Sequence, residues 1–339
     1  MLESYLKTKD YSISNENFQL LLDDRIDLLI TYPKPKEEDL AKYYESDAYI
    51  SHTDGQNSMI DRIYQTVKKY TLAKKLELLN SFQVDEKKVL DIGCGTGDFL
   101  NTCQKSGWKV TGIEPSEKAR NKAQDKLEKG TYIYSDLHAF FEEEESIDKT
   151  NLDYKQNYKQ TKLYHHNEHE TKNIEKEVLK FDMENSDHST NVFPYQFDVI
   201  TLWHVLEHVY DLDAYIFKLK KLLKPNGVLV IAVPNFKSYD AEYYKEYWAA
   251  YDVPRHLWHF SQTSIHRLFS TEMMKVVKTL PMKFDAFYVS LLSEQYKSGK
   301  SGIFNLCKAL VMGIKSNHKA KKSGEYSSLI YLIQNLKSD

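Results

Sequence analysis

The chain has 339 residues, with 46 Lys and Arg against 49 Asp and Glu and a net charge of −3. That length accommodates one large α/β core of roughly 200 to 250 residues plus additions. The near-balanced, scattered charge announces no polyelectrolyte-binding surface, so nucleic acid is not expected as a partner. The three cysteines, at 94, 103 and 307, make neither a disulfide framework nor a paired metal motif. No run approaches the ~18 apolar residues of a bilayer span, and the first residues lack the apolar core of a signal peptide. The expectation is a soluble, cytoplasmic protein with no membrane partner, its oligomeric state open.

In chain order, residues 1 to 55 carry short apolar groups, Phe18 to Leu22 and Leu28 to Ile30, broken by Pro33 and Pro35. They read as a small N-terminal subdomain ahead of a main domain over 56–339. From Met59 to Phe82 the apolar residues recur at three- and four-residue steps, predicting a helix whose stripe is core.

The stretch Val89-Leu-Asp91-Ile-Gly93-Cys94-Gly95-Thr-Gly97-Asp98 follows. A short apolar strand runs into three alternate glycines and then an amphipathic helix. Such glycines admit positive φ and let backbone N–H groups approach a ligand, which makes the loop an adenosine cradle. The run is G-x-G-x-G with Asp98 where a dinucleotide fingerprint needs glycine, which weakens a nicotinamide reading. Asp91 suits a cationic sulfonium amino acid. Glu114, closing the next strand about twenty residues on, is placed to accept both ribose hydroxyls.

A helix from Phe99, a strand from Lys109 to Ile113, a polar helix from Pro115 to Lys129 and a strand ending at Tyr132-Ile-Tyr134 continue the alternation. Residues 142 to 192 are polar, open with four glutamates and hold His165, His166, His169 and His188. They read as a low-complexity insertion that buries too little surface to repay its ordering. Phe197 to Trp203 is a buried strand, Asp211 to Leu223 an amphipathic helix stopped by Lys224-Pro-Asn-Gly227, and Val228 to Asn235 another strand. Strands alternating with helices predict a doubly wound, mostly parallel sheet with its ligand at the strand carboxyl ends.

Past that strand, residues 236–260 are crowded with aromatics, from Tyr239 to Phe260, and read as a lid over an acceptor pocket. Ser264 to Met274 is expected as a helix. Val276 to Leu280 and Phe284 to Ser290 are expected as short strands or one bent strand. Phe304 to Ile314 is expected as helical, Lys315 to Lys322 as a solvated basic face, and Ser327 to Ile333 as a closing strand.

The motif Asp91-Ile-Gly-Cys-Gly-Thr-Gly97 with Glu114 resembles the class I S-adenosylmethionine (SAM) dependent methyltransferases. Asp198 to Val209, the Leu-Lys-Pro-Asn-Gly turn, Ala232-Val-Pro-Asn235 and Asp252-Val-Pro-Arg-His-Leu-Trp-His-Phe-Ser261 resemble the group related to the ubiquinone-pathway O-methyltransferases. The resemblance runs from about residue 55 to 290. It implies a Rossmann-like, seven-stranded sheet, SAM as cofactor, and a small-molecule acceptor methylated at oxygen. It also implies that Asp136, after the third strand, takes the adenine amino group. The expected cofactor set is Asp91, Gly93, Cys94, Gly95, Gly97, Glu114, Pro115, Asp136, Leu137 and Trp203. Tyr32-Pro-Lys-Pro35 and Leu40 to Tyr44 resemble the segment that precedes the catalytic domain in bacterial small-molecule methyltransferases. The cysteine-rich metal ribbon found there in some relatives has no counterpart here.

A methyl on sulfonium is already activated, so the protein must chiefly place a nucleophile in line. A base is needed only if the acceptor is protonated, and His204, His208 and His256 titrate in the right range. His204, following the fourth strand of the sheet, is the expected base or acceptor-orienting group, with Arg255 and His256 closing the pocket. His204-x-x-Glu207-His208 also fits an inverted zinc-protease pattern, but it sits directly on a buried strand among SAM motifs. In some relatives an E-x-x-E-H cluster holds a metal. Here His204 replaces the first Glu, and no metal is assigned. The alternative to turnover is a SAM-binding scaffold or regulator.

Overall fold

The computed structural model describes residues 2–44, 59–141 and 197–336. The insertion expected at 142–192 lies outside the described residues. Residues 1–134 and 196–339 form one compact unit, and residues 135–195 a second.

In the first unit, strands β4 (Lys88–Ile92), β5 (Lys109–Ile113), β6 (Ile133–Tyr134), β7 (Phe197–Trp203), β8 (Leu223–Pro234), β10 (Met274–Pro281) and β11 (Ser328–Asn335) build a seven-stranded sheet. Its order is β10-β11-β8-β7-β4-β5-β6. All neighbours from β8 to β6 are parallel, and β11 runs antiparallel to both of its neighbours. The central strands are buried on both faces, which is why Val89-Leu-Asp-Ile92 and Phe197 to Leu202 read as near-continuous apolar runs. Helices α1 (Met59–Asn80), α2 (Asp98–Lys105), α3 (Glu117–Lys126) and α4 (Leu212–Leu222) accompany these strands. Leu79 of α1 packs with Val89, Phe99, Leu100, Val199 and Val230 in one core cluster. Side-chain caps on Ser116 and Asp211 start α3 and α4. Leu223 joins β8 directly after α4, and the register shift between Phe197 and Val199 shows the Lys224-Pro-Asn-Gly turn looping out of the ladder.

Strands β1 (Leu2–Lys9), β2 (Asn17–Asp23) and β3 (Leu28–Tyr32) form an antiparallel meander whose fourth strand is β9 (Trp258–His259). A strand from the aromatic segment thus completes the sheet of the N-terminal residues. That segment contains α5 (Tyr239–Tyr244) and two 3₁₀ turns. Tyr244, Trp248, Tyr251 and Phe236 pack with Phe18, Leu20, Leu29 and Tyr43 in a second core. Full burial of each such ring contributes roughly 2 to 3 kcal/mol. Many of the aromatics expected to cover an acceptor are thus packed against the N-terminal sheet.

After α6 (Gln262–Thr271) and β10, residues 285–298 form helix α7 (Asp285–Ser298), not the strand expected from Phe284 to Ser290. The buried positions Ala286, Val289, Ser290, Ser293 and Glu294 have helical spacing, which outweighs the β propensity of the aromatic and branched residues between them. α8 (Ile303–Ser323) is one continuous helix that takes in both the apolar stretch and the basic run. No helix among the described residues is long and apolar enough to cross a membrane.

Candidate active site

The glycine loop leaves the carboxyl end of β4. Gly93, Gly95 and Gly97 have φ of 71°, 55° and 75°, so all three sit in the left-handed region that side chains disfavour. At Gly93 a Cβ would stand 2.5 Å from Val205 Cγ2. The missing side chain is what lets Val205, on the β7 exit turn, lie against the loop. Around Gly95 a Cβ would meet nothing within 4 Å, so the middle of the loop faces open space. Gly93→Ala is expected to abolish cofactor affinity while Gly95→Ala weakens it partially, measured by calorimetry. Equal affinities in the two would refute this division of roles.

Glu114, at the end of β5, ties this loop down. Its Oε2 accepts from the Gly95 N–H at 2.9 Å and its Oε1 from the Ser116 N–H at 2.8 Å. Arg120 donates to the carbonyls of Glu114 and Pro115. Cys94 is buried, and burial pushes its thiol up, away from nucleophilic use.

Asp91 is buried and accepts from the Thr201 hydroxyl at 2.5 Å. Burial pushes its carboxyl up to about 7, against the pull of that hydrogen bond and of Lys75. Lys75, from α1, is itself pushed down to about 8 by burial, opposed by Asp91 and Asp285. Its ammonium lies 4.1 Å from the centroid of Trp203 at the end of β7, and Trp203 Nε1 is buried without a partner. Lys75 and Thr201 escaped the sequence reading. The first hides inside a helix stripe that reads as plain core, and the second sits in an apolar strand.

His204 adopts φ of 58° with its N–H held by the Ala232 carbonyl at 2.9 Å, a strained conformation at the point where β7 ends. Its Nδ1 lies 3.3 Å from Glu207 Oε1 and its Nε2 3.0 Å from Asp285 Oδ2. Burial alone would lower its pKa, but the two carboxylates outweigh it and carry it up to about 10. The two carboxylates thus favour the protonated ring, which suits orienting a neighbouring group and not abstracting a proton. Asp285 was missed because the sequence reading took its helix for a strand.

Glu207 is 1% exposed, held below the ordinary carboxylate range against its burial by His204, and its Oε2 is buried without a partner. His208 and His256 stand beside it, ring centroids 4.6 Å apart. Each spends Nδ1 on a main-chain carbonyl, that of Arg255 at 3.0 Å and that of Ala250 at 2.9 Å. Tyr44 places its hydroxyl 3.1 Å from the same nitrogen of His208. Burial and the neighbouring His256 push His208 down to about 4. Ligand atoms of Glu207, His208 and His256 lie within 4.8 Å of one another.

Arg255 is 1% exposed. Its guanidinium donates to Asp10 Oδ1 at 2.9 Å, to Asp252 Oδ1 at 2.7 Å, to the Tyr43 carbonyl at 3.1 Å and to the Ser12 hydroxyl. These donors belong to the clamp between the aromatic segment and the N-terminal sheet, which leaves none for the acceptor contact expected of Arg255. The His256 ring stands against that of His208, with a ring nitrogen within 4.8 Å of ligand atoms of Glu207 and His208. Asp136 and Leu137 lie in the second unit, where Asp136 accepts from the Ala139 N–H at 2.8 Å and caps a short helical turn.

A parallel sheet with a glycine turn and a ribose-type acid at its strand carboxyl ends defines a nucleotide-cofactor enzyme of the doubly wound class. The family described as methyltransferase domain matches residues 64–272, more than half of the chain. The chain belongs to that family, the SAM-dependent methyltransferases of class I. It is 34% identical over 154 residues to the ubiquinone biosynthesis O-methyltransferase of Pasteurella multocida, covering 44% of this chain and 47% of that protein. The enzyme of the same name from Actinobacillus pleuropneumoniae serotype 7 is 31% identical over 48% of this chain and 56% of its own. The chain spans about half the length of the curated relatives it matches. Among solved structures, magnesium protoporphyrin IX methyltransferase from Synechocystis PCC 6803 with bound SAH aligns over 88% of this chain and 100% of that one. Its TM-score is 0.48 and its sequence identity 14%.

The residues present fit the cofactor. The open cradle at Gly95, the buried Asp91 carboxylate and the orphaned Trp203 Nε1 are what a cationic, adenosine-bearing ligand would use. The amino group of such a ligand favours ionised Asp91, so cofactor affinity is expected to rise as pH increases through about 7, with a proton released on binding below that pH. Without ligand the sign reverses. Asp91 keeps a proton in the fold that the unfolded chain loses above about 3.8, so stability falls between there and about 7. Wild type should match Asp91→Asn near pH 4 and melt below it at pH 8. Parallel melting curves across that range would refute the assignment.

Proposed function

We propose that this chain methylates a hydroxyl of a small-molecule acceptor, with the cofactor on the Gly93–Gly97 loop and the acceptor against His204 and Asp285. The observation that carries this reading is the array in which His204, on the turn that packs against Gly93, lies between Glu207 and Asp285 of α7. When bound, SAM supplies an electrophilic methyl group on positively charged sulfur. Glu114 and the loop N–H groups would hold its ribose, and Asp91 with Lys75 its amino-acid end. Held by carboxylates at both ring nitrogens, His204 fixes the Asp285 carboxylate beside the acceptor. Asp285, partly exposed on the open side of the imidazole, is the group that takes the hydroxyl proton.

The test is incubation of the purified chain with isotope-labelled SAM and a metabolite extract, followed by a search for labelled methyl ethers. Cofactor binding without any label transfer would favour a non-catalytic scaffold. Glu114→Ala is expected to weaken cofactor binding by about 1 to 3 kcal/mol, the cost of losing a charge-assisted partner. Unchanged affinity, or tighter binding of NADH than of SAM, would sink the cofactor assignment.

A second reading gives Glu207, His208 and His256 a divalent cation. It is favoured by the orphaned Glu207 Oε2 and by the two imidazoles oriented through their Nδ1 atoms. Loss of activity in EDTA with recovery on adding Mg²⁺, Mn²⁺ or Zn²⁺ would establish it, and full activity in EDTA would exclude it.

A further inference from the structure

Helix α8 turns its large apolar residues outward. Ile303 and Phe304 are 76% and 69% exposed, Leu310, Val311 and Ile314 46%, 52% and 61%, and Cys307 is exposed between them. These positions recur at three- and four-residue steps and so form one stripe along the helix. The inward face is built of small or polar residues, Asn305, Ala309, Gly313, Ser316 and Ala320, with Met312. At Gly313 a Cβ would stand 2.4 Å from the Phe287 ring, so α8 packs closely on α7 with its small side chains and leaves the large ones to solvent. That is the reverse of an ordinary surface helix.

The charge of this region is equally one-sided. Between Gln295 and Gly324 there are seven lysines and no Asp or Glu, in a chain whose net charge is −3. Lys297 and Lys300 precede the stripe, Lys308 flanks it, and Lys315, Lys319, Lys321 and Lys322 follow it, all exposed. The neighbouring helix adds exposed aromatics, Phe284 at 44% and Tyr288 at 53%. A second copy docking symmetrically would bring lysine-rich surfaces face to face, which like-charge repulsion opposes.

We propose that α8 docks the protein on an anionic lipid bilayer, lying in the plane of the interface with the Ile303–Ile314 stripe in the headgroup boundary and the lysines on lipid phosphates. This membrane partner is one that the sequence's overall charge and hydropathy do not announce, because both average the patch away.

The test is co-sedimentation of the full chain with vesicles of equal parts phosphatidylglycerol and phosphatidylcholine, beside vesicles of phosphatidylcholine alone. Binding is expected to the first and not the second, and raised salt should release it. Ile303→Ser with Phe304→Ser, and separately Lys321→Glu with Lys322→Glu, should each weaken binding by about tenfold or more. Melting temperatures should be unaltered in both, since the substituted side chains are exposed. Absence of binding by wild type, equal binding to both vesicles, or variants that bind as wild type would overturn the proposal. So would light scattering that shows two copies in wild type and one in the Ile303→Ser, Phe304→Ser variant, which would make the stripe a self-association face. Lipid binding is read without turnover, so failure here leaves the methyl-transfer reading standing.

Discussion

Arg255→Ala should destabilise the fold by about 3 to 5 kcal/mol, because it leaves buried carboxylates without their counter-charge. Asp10 is almost wholly enclosed and takes, besides Arg255, the N–H groups of Ser12, Ile13 and Ser14 at 3.0, 3.2 and 2.8 Å. Burial works against its ionisation, yet the guanidinium and these N–H groups hold its carboxyl well below the usual range. A carboxyl depressed in the fold stabilises it above its unfolded value of about 3.8 and loses that contribution as pH falls further. Chemical denaturation of wild type and Arg255→Ala should thus differ most near neutrality and converge in acid. Asp10→Ala should cost nearly as much as Arg255→Ala, and the double variant less than the sum. If Arg255→Ala instead keeps wild-type stability and raises only the acceptor KM, the residue is a binding group and the clamp is incidental.

His204→Ala should lower turnover by about 10² or more while leaving cofactor affinity within about threefold, the signature of a group that acts on the acceptor and not on the ground-state complex. Asp285→Asn should fall in the same range, because it removes the carboxylate proposed to take the proton while keeping the shape and a hydrogen-bond partner for His204 Nε2. Glu207→Gln tests the support behind the imidazole and should cost less in the absence of metal. With a bound cation it should be as damaging as His204→Ala. Near-normal turnover in both His204→Ala and Asp285→Asn would leave catalysis to positioning alone.

The parts of this molecule legible in the sequence are those fixed by local rules. Val89 to Gly97 announces its strand and its positive φ without reference to anything else. The alternation from Phe197 to Pro234 gives the parallel half of the sheet for the same reason. What escaped depends on distant residues. Asp285 reaches His204 across 81 positions, and no local pattern marks it, least of all in a segment whose aromatics mimic a strand. Lys75 is charged yet sits in a core stripe, where periodicity scores it as noise. Arg255 is the instructive case, since an arginine after a rigid Val253-Pro254 near a cofactor site looks like a ligand-binding cation. Only the positions of Asp10 and Tyr43, more than two hundred residues earlier, reveal its use.

The pairing of β3 with β9 also dictates an order of events during synthesis. Leu29 and Ile30 find their strand partners at His259 and Trp258, and Asp10 finds Arg255, 245 residues later. While the ribosome makes the intervening chain, the first meander has an open edge, an unneutralised carboxylate and an apolar face carrying Phe18, Leu20 and Leu29. At ~5 to 20 residues per second that exposure lasts on the order of ten seconds or more. A nascent chain halted before residue 250 should hold these strands in protease-sensitive form and recruit a holdase, and the chain released from the ribosome should lose both properties together. A segment made more than two hundred residues before its partners is therefore among the last to become native.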